Sequence, residues 1–255
     1  MQDDEQFEIQ GGSLEKSLNG EVKLDFKLLV KEAWELSKNT KTPVLQGMLM
    51  LFFIAIFFTW ILQSVLGFSD LNSVPPSTML ALKIAGVVVT TPIIAAIFLI
   101  GISHSVGVKP EFFTVLKNVL GSVLVILLAL LLAAMSDLGS LLGSQVNIMF
   151  GIILLFYVNL ATGFAIMLLV EKRLAPSQCI IQSAKVFHKH WQTLLFYYIA
   201  YYSFLILGIF SFGFAYIWIV PFFINLKGIL YRELFGIKVK RSTSANNSDE
   251  TVFHA

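Results

Sequence analysis

The chain predicts an all-α fold, a polytopic bundle of transmembrane helices, and three observations lead there. Its 255 residues are 56% hydrophobic with 23 Phe, at a mean hydropathy of +0.79. A soluble core of this size cannot conceal so much apolar surface, and the surplus must face lipid. The apolar runs repeatedly reach the roughly 20 residues that a hydrocarbon layer of about 30 Å requires. The charges are sorted: of 18 Lys and Arg residues, all but Lys83 fall in alternate gaps between these runs, and the other gaps hold only Asp70, Asp137 and that lysine. Positive loops stay in the cytoplasm, so both termini and two intermediate loops are expected there.

The elements follow in order. Residues 1–20 carry Asp3, Asp4, Glu5 and Glu8 and read as a flexible acidic segment. They lack the basic and apolar regions of a secretory signal, so the first span is expected to direct insertion. Residues 21–240 form one membrane domain, with spans near Val44 to Leu66, Leu82 to Ile102, Val115 to Met135, Ile148 to Val170, Thr193 to Ser211 and Phe212 to Leu230. The gap Gly67 to Thr78, with Ser69, Asp70, Asn72, Ser73, Pro75 and Pro76, predicts an exposed loop, and Ser136 to Gln145 predicts another. The last two spans meet at Gly208 to Gly213 as a tight hairpin, because one helix of that length would exceed an ordinary crossing. Arg241 to Ala255 reads as a flexible polar tail.

Amphipathic segments precede the odd-numbered spans. Val22, Phe26, Leu29, Ala33 and Leu36 line one helical face while Lys23, Lys27 and Lys31 occupy others. Ile180, Ala184, Phe187 and Trp191 repeat that spacing after Ala175-Pro176-Ser177, where proline can open a helix. A third version starts at Pro110, with Phe112, Leu116 and Val119 on one face and Lys109 and Lys117 nearby. Each is expected to lie along the cytoplasmic interface before turning into the bilayer, which gives three units of interfacial helix plus hairpin.

The run Met167-Leu168-Leu169-Val170-Glu171, followed by Ala175, Ile180, Ser183-Ala184-Lys185-Val186-Phe187 and Trp191, resembles the segment joining the fourth and fifth spans of the YciC-type bacterial membrane proteins. The ending Pro221, Lys227, Tyr231-Arg232 and Phe235 is similar to the close of related six-span families. The resemblance implies a six-helix bacterial inner-membrane protein and supplies no activity. The acidic start departs from the short start of that family.

Polar residues within spans are where membrane chemistry would reside. Thr90, Thr91 and Pro92 read first as a kink and second as a substrate-lined break. Asn159 and Thr162 read as hydrogen-bonding glue between helices or as a ligand site. Pro221 and Asn225, four apart, read as a bend with its own cap before a site. Lys227 is expected to snorkel to the cytoplasmic surface; placed deeper, it becomes the leading functional residue. Lys185, Phe187, His188, Lys189, His190 and Trp191 form a candidate cytoplasmic interface, and His104 is read as lying in the other cytoplasmic loop. Tyr198, Tyr201 and Tyr202 share a side of the fifth span, next to Tyr197, and are expected to pack with their hydroxyls bonded to neighbours. Trp34, Trp60, Trp191 and Trp218 read as interface anchors.

The sequence has no phosphate-binding glycine loop, no HExxH pair and no Gly-x-Ser-x-Gly elbow. The lone Cys179 excludes an internal disulfide and a Cys-based zinc site. Glu171 beside Lys172 and Arg173 reads as an interfacial ion cluster. No catalytic residue, cofactor or metal is expected. The leading reading is a non-catalytic inner-membrane protein that organises or senses lipids, anionic headgroups included, or partner proteins, a second copy among them, without nucleic acid. The alternative is a transporter of small or lipid-like solutes between proline-broken helices.

Overall fold

A computed structural model of the protein describes residues 7–65, 67, 74–241 and 251–252. Strand β1 (Phe7–Gln10) and helix α1 (Leu14–Asn19) precede α2 (Phe26–Trp60), which ends in a π-helical turn at Ile61–Val65. Then come α3 (Pro76–Ser105), α4 (Phe112–Leu120), α5 (Val123–Val146), α6 (Ile148–Ala161), α7 (Ala165–Lys172), α8 (Pro176–Lys189), α9 (Trp191–Phe210) and α10 (Tyr216–Phe235). Strands β2 (Ile237–Arg241) and β3 (Thr251–Val252) complete a three-stranded antiparallel sheet in the order β1, β2, β3. Its register pairs Glu8 with Val239 and Ile9 with Lys238.

The chain is therefore an all-α helical bundle with a small sheet joining its ends. Five stretches, Phe26–Ser64, Pro76–Ser105, Val123–Val146, Ile148–Lys172 and Trp191–Phe210, are long and apolar enough to cross a membrane. α10 is as long as α9 but carries Lys227, Arg232 and Glu233.

Burial concentrates at one end, in the second half of α3, in α7 and in the last three turns of α10. Three helices cover this core: α4 buries Phe112, Val115, Leu116 and Val119, α8 buries Cys179, Ser183, Val186 and Phe187, and the first half of α2 buries Leu29, Ala33, Ser37 and Thr40. Away from that end, large side chains such as Phe53, Leu142 and Ile148 lie exposed on the helix surfaces, as a lipid-facing surface requires.

The boundaries depart from the sequence reading in four places. The segment before the first span and the span itself are one helix, bent at Thr40 (φ −133°, ψ 20°) three residues before Pro43. Asp25 caps its start by accepting from the Lys27 and Leu28 amides. The stretch Ser136 to Gln145, read as an exposed loop, is the end of α5. Its small residues allow close packing, since a Cβ on Gly143 would sit 2.6 Å from Gly151 Cα of α6. Asn147 makes the reversal and caps α6 through the Met149 amide.

The fourth span is broken into α6 and α7 at Thr162-Gly163-Phe164. Ser183 of α8 mends the break: its hydroxyl donates to the Ala161 carbonyl (2.8 Å) and accepts from the Phe164 amide (3.1 Å). Finally, residues 7–20 are not a flexible segment. β1 pairs with β2, and the buried Ser17 hydroxyl donates to the Leu234 carbonyl at 2.6 Å. Gly11 and Gly12 lie so close to the Arg232 and Glu233 carbonyls that no side chain fits. In the expected tail, Arg241, Thr251 and Val252 belong to strands; the rest of that tail, the acidic Asp3, Asp4 and Glu5, and residues 68–73 of the Gly67 to Thr78 loop lie outside the described residues, while residues 76–78 of that loop open α3.

Candidate functional site

Asn225 of α10 is the centre of a buried polar layer that joins three helices. The Ser37 hydroxyl donates to the Ala33 carbonyl in its own helix (2.6 Å), so Ser37 Oγ receives the Asn225 Nδ2 hydrogen at 3.0 Å. The other end of the amide, Oδ1, then accepts from His104 Nδ1 of α3 at 2.8 Å. Thr40 Oγ1, at the bend of α2, lies 3.5 Å from the same amide nitrogen. Each hydrogen in this relay has one place to go, which puts the His104 proton on Nδ1 and leaves a lone pair on Nε2. That nitrogen is buried without a partner among the described residues. His104 is thus in a helix and 1% exposed, not in a loop: α3 continues to Ser105 because Asn225 receives the imidazole.

A close crossing holds the layer. A side chain on Gly228 of α10 would run into the Gly101 carbonyl of α3, and a Cβ on Gly101 would sit 2.7 Å from the Ile224 carbonyl. Only paired glycines let these backbones meet so closely.

Lys227 lies on another face of α10 and does not snorkel. It is 8% exposed, with its Nζ 4.0 Å from the Phe98 ring centre and 5.8 Å from that of Phe164. Among the described residues no carboxylate lies within salt-bridge distance of it, so the rings are its counterpart. One turn onward, the Tyr231 hydroxyl donates to Glu171 (2.7 Å), and Lys172 donates to the Gly236 carbonyl (2.9 Å). Arg232 bridges Glu32 (2.6 Å), Glu233 and the Ser105 carbonyl, tying α2, α3 and α10 at the same end.

The other expected positions separate. The Thr90, Thr91 and Thr162 hydroxyls donate to Gly86, Val87 and Val158 in their own helices, and α3 and α10 continue through Pro92 and Pro221. Asn159 does reach across, donating to Ser136 of α5 at 3.3 Å. In α9 it is Tyr197 and Tyr201 that stack and together meet Phe223. Tyr197 donates to the Phe223 carbonyl (3.1 Å), while the Tyr198 hydroxyl is buried against Gly163 without a partner among the described residues.

The expected interface on α8 also divides. Phe187 is buried; Trp191 is half exposed. His190 donates to the Ser17 carbonyl of α1 (3.0 Å), and burial lowers its pKa below the usual histidine value. His188 binds the Tyr157 hydroxyl at 2.7 Å. Lys185 and Lys189 line an open groove of about 750 Å³ between α1 and α8, floored by Leu18, Ile180, Ile181 and Ala184. Burial pushes the Cys179 thiol up to about 11. Among the described residues no three His, Cys, Asp or Glu side chains gather as a metal set.

The sequence reading missed Ser37, Thr40 and His104 as one unit. The stripe Leu29, Ala33, Ser37, Thr40 was visible as the apolar face of α2 turning polar where it meets Asn225. Lys83, the single exception to the charge sorting, pairs with Asp137 of α5, so the only charged groups of the described residues in that part of the chain satisfy one another. No protein family model, curated protein or solved structure matches the chain.

Proposed function

We propose that this is a non-catalytic inner-membrane protein of the YciC-type layout, crossing six times with both termini cytoplasmic, that binds anionic lipids or partner proteins at the end carrying α1, α4, α8 and the sheet. The observation that carries the reading is the division of labour at that end. α4 and α8 each turn one apolar face to the core, while Lys117 and Lys185 stand on the outer faces, where anionic headgroups or an acidic partner would meet them. The Thr90, Thr91 and Thr162 hydroxyls, by contrast, are turned back on their own helices.

β1 and β2 support the count. They pair directly, so they share a side of the membrane, and an even number of crossings must separate them. Among the described residues five stretches qualify by composition; α10 is the proposed sixth, with Arg232 paired to Glu32 and Glu233 and Lys227 set against the Phe98 and Phe164 rings.

Substituting Lys185→Glu and Lys189→Glu tests the reading. The purified double variant should retain a smaller anionic fraction of copurifying lipid, or lose crosslinks to a neighbouring protein. Retention of both at wild-type levels overturns it. A transporter is the second reading, favoured by Lys227 inside the bundle, since interior charge marks transport paths. It requires that liposomes containing the protein move some solute and that Lys227→Met, Thr91→Ala or Asn225→Ala reduce this flux.

A further inference from the structure

An aromatic groove on the flank of α2, α9 and α10 is bordered by two lysines that lie over its indoles. The groove has a volume of about 490 Å³ and is walled by Val30, Trp34, Phe204, Leu207, Trp218 and Phe222, within the size range of small-molecule pockets. Its two indoles face each other, 6.4 Å between ring centres. A lysine lies over each: Lys41 Nζ is 3.7 Å from the Trp218 ring centre, and Lys38 Nζ is 5.7 Å from that of Trp34.

The lysines come from the bend of α2 at Thr40, which turns Lys41 toward α10. Lys38 has one carboxylate nearby, the exposed Glu35 at 3.5 Å; Lys41 has none within salt-bridge distance among the described residues. A cation stacked on an indole keeps its outer N–H groups free to donate. The groove itself offers almost no polar atom, so its occupant must be apolar along its length and negative at one end.

We infer that the groove lined by Trp34 and Trp218 holds an acyl chain of an anionic phospholipid, whose phosphate is bound by Lys41 with help from Lys38. This rests on the proposal that the protein binds anionic lipid, and it adds a second place for it, on α2, α9 and α10, with its own lysines. Phosphatidylcholine would fill the walls equally well and bring the same phosphate, but its choline cation would stand beside Lys41 and Lys38 and offset the attraction. Each lysine near a phosphate layer favours anionic lipid by about fivefold. With Glu35 offsetting Lys38, the net preference is expected to be about fivefold.

The test reads the two indoles. In the full chain carrying Trp60→Phe and Trp191→Phe, both half-exposed positions elsewhere, only Trp34 and Trp218 fluoresce. The protein is reconstituted with phosphatidylglycerol or phosphatidylcholine bearing dibrominated acyl chains, titrated into unbrominated phosphatidylcholine. Half-maximal quenching should need about fivefold less brominated phosphatidylglycerol than brominated phosphatidylcholine. Lys38→Gln with Lys41→Gln should abolish the difference, and Lys41→Arg should keep it. Equal quenching by the two lipids overturns the site, as does weak quenching by both, the result expected if a second copy covers the groove. The readout is local to these indoles, so its failure leaves the test at Lys185 and Lys189 standing, and failure of that test leaves this one standing.

Discussion

Asn225 shows how one buried side chain can set the state of its neighbours. It accepts from His104 and donates toward Ser37 and Thr40, so its removal strands groups on two other helices. Asn225→Ala should cost about 1–2 kcal/mol, between the penalty for stranding buried polar groups in water-soluble proteins and the smaller values found inside membranes. Thr91→Ala should cost under about 0.5 kcal/mol, because the Thr91 hydroxyl bonds Val87 in its own helix whether or not the bundle is assembled. Unfolding midpoints in detergent compare the two, and equal losses would refute the role of Asn225 as a joint. The sequence singled out Asn225 from its place in an apolar run. It could not reveal the partners, because His104 lies 121 positions away and the polar break after it looks like the end of a span.

At the scale of elements, the α3–α10 crossing and the α1–α8 contact carry separate predictions. Gly228→Ala places a methyl against the Gly101 backbone, and the helices must part. A cost of about 1–3 kcal/mol is expected from such overpacking. Gly86→Ala meets open space in the same helix pair and should leave the melting temperature unchanged or slightly raised, since alanine is the better helix former.

The α1–α8 contact should respond to pH. His190 has its pKa lowered by burial, with Lys189 adding to the effect and the Ser17 carbonyl opposing it. The undocked state therefore takes up the proton more readily. Docking is fully stable above about pH 6.5, the free value, and weakens as pH falls from there through the lowered value of the folded state. Hydrogen exchange at Leu14–Asn19 should accelerate relative to α10 on acidification to pH 5.5, once corrected for intrinsic rates. His190→Gln keeps a donor and should remove that dependence. Helix identity was legible here because α8 has a regular 3.6-residue stripe. The docking of residues 7–20 was not, because an acidic opening resembles a solvated tail until the glycines and Ser17 meet the α10 carbonyls.

At the scale of the whole molecule the three surface helices form a closed circuit. α4 lies on α3 and α8 on α7, each covering the inner helix just before it, while the first half of α2 lies on α10, the last inner helix, and so joins the two ends of the chain. The sequence suggested three similar units; the circuit gives that order a physical purpose, since no inner helix is left without a cover.

The paired β1 and β2 add a constraint that labelling can check. Cysteines at Glu15, in α1 just after β1, and at Lys238, within β2, both exposed, must react from the same face. Cysteines at Gln145 and Gln178, separated by the single stretch Ile148–Lys172, must react from opposite faces. Native Cys179 is a quiet background, being buried with its thiol pushed up to about 11, where little reactive thiolate exists near neutral pH. With a membrane-impermeant maleimide, Gln145→Cys should label in right-side-out vesicles, and Glu15→Cys, Gln178→Cys and Lys238→Cys only in inverted ones. Labelling of Glu15→Cys and Lys238→Cys from opposite faces would make the number of crossings odd, separate β1 from β2, and remove α10 as the sixth span.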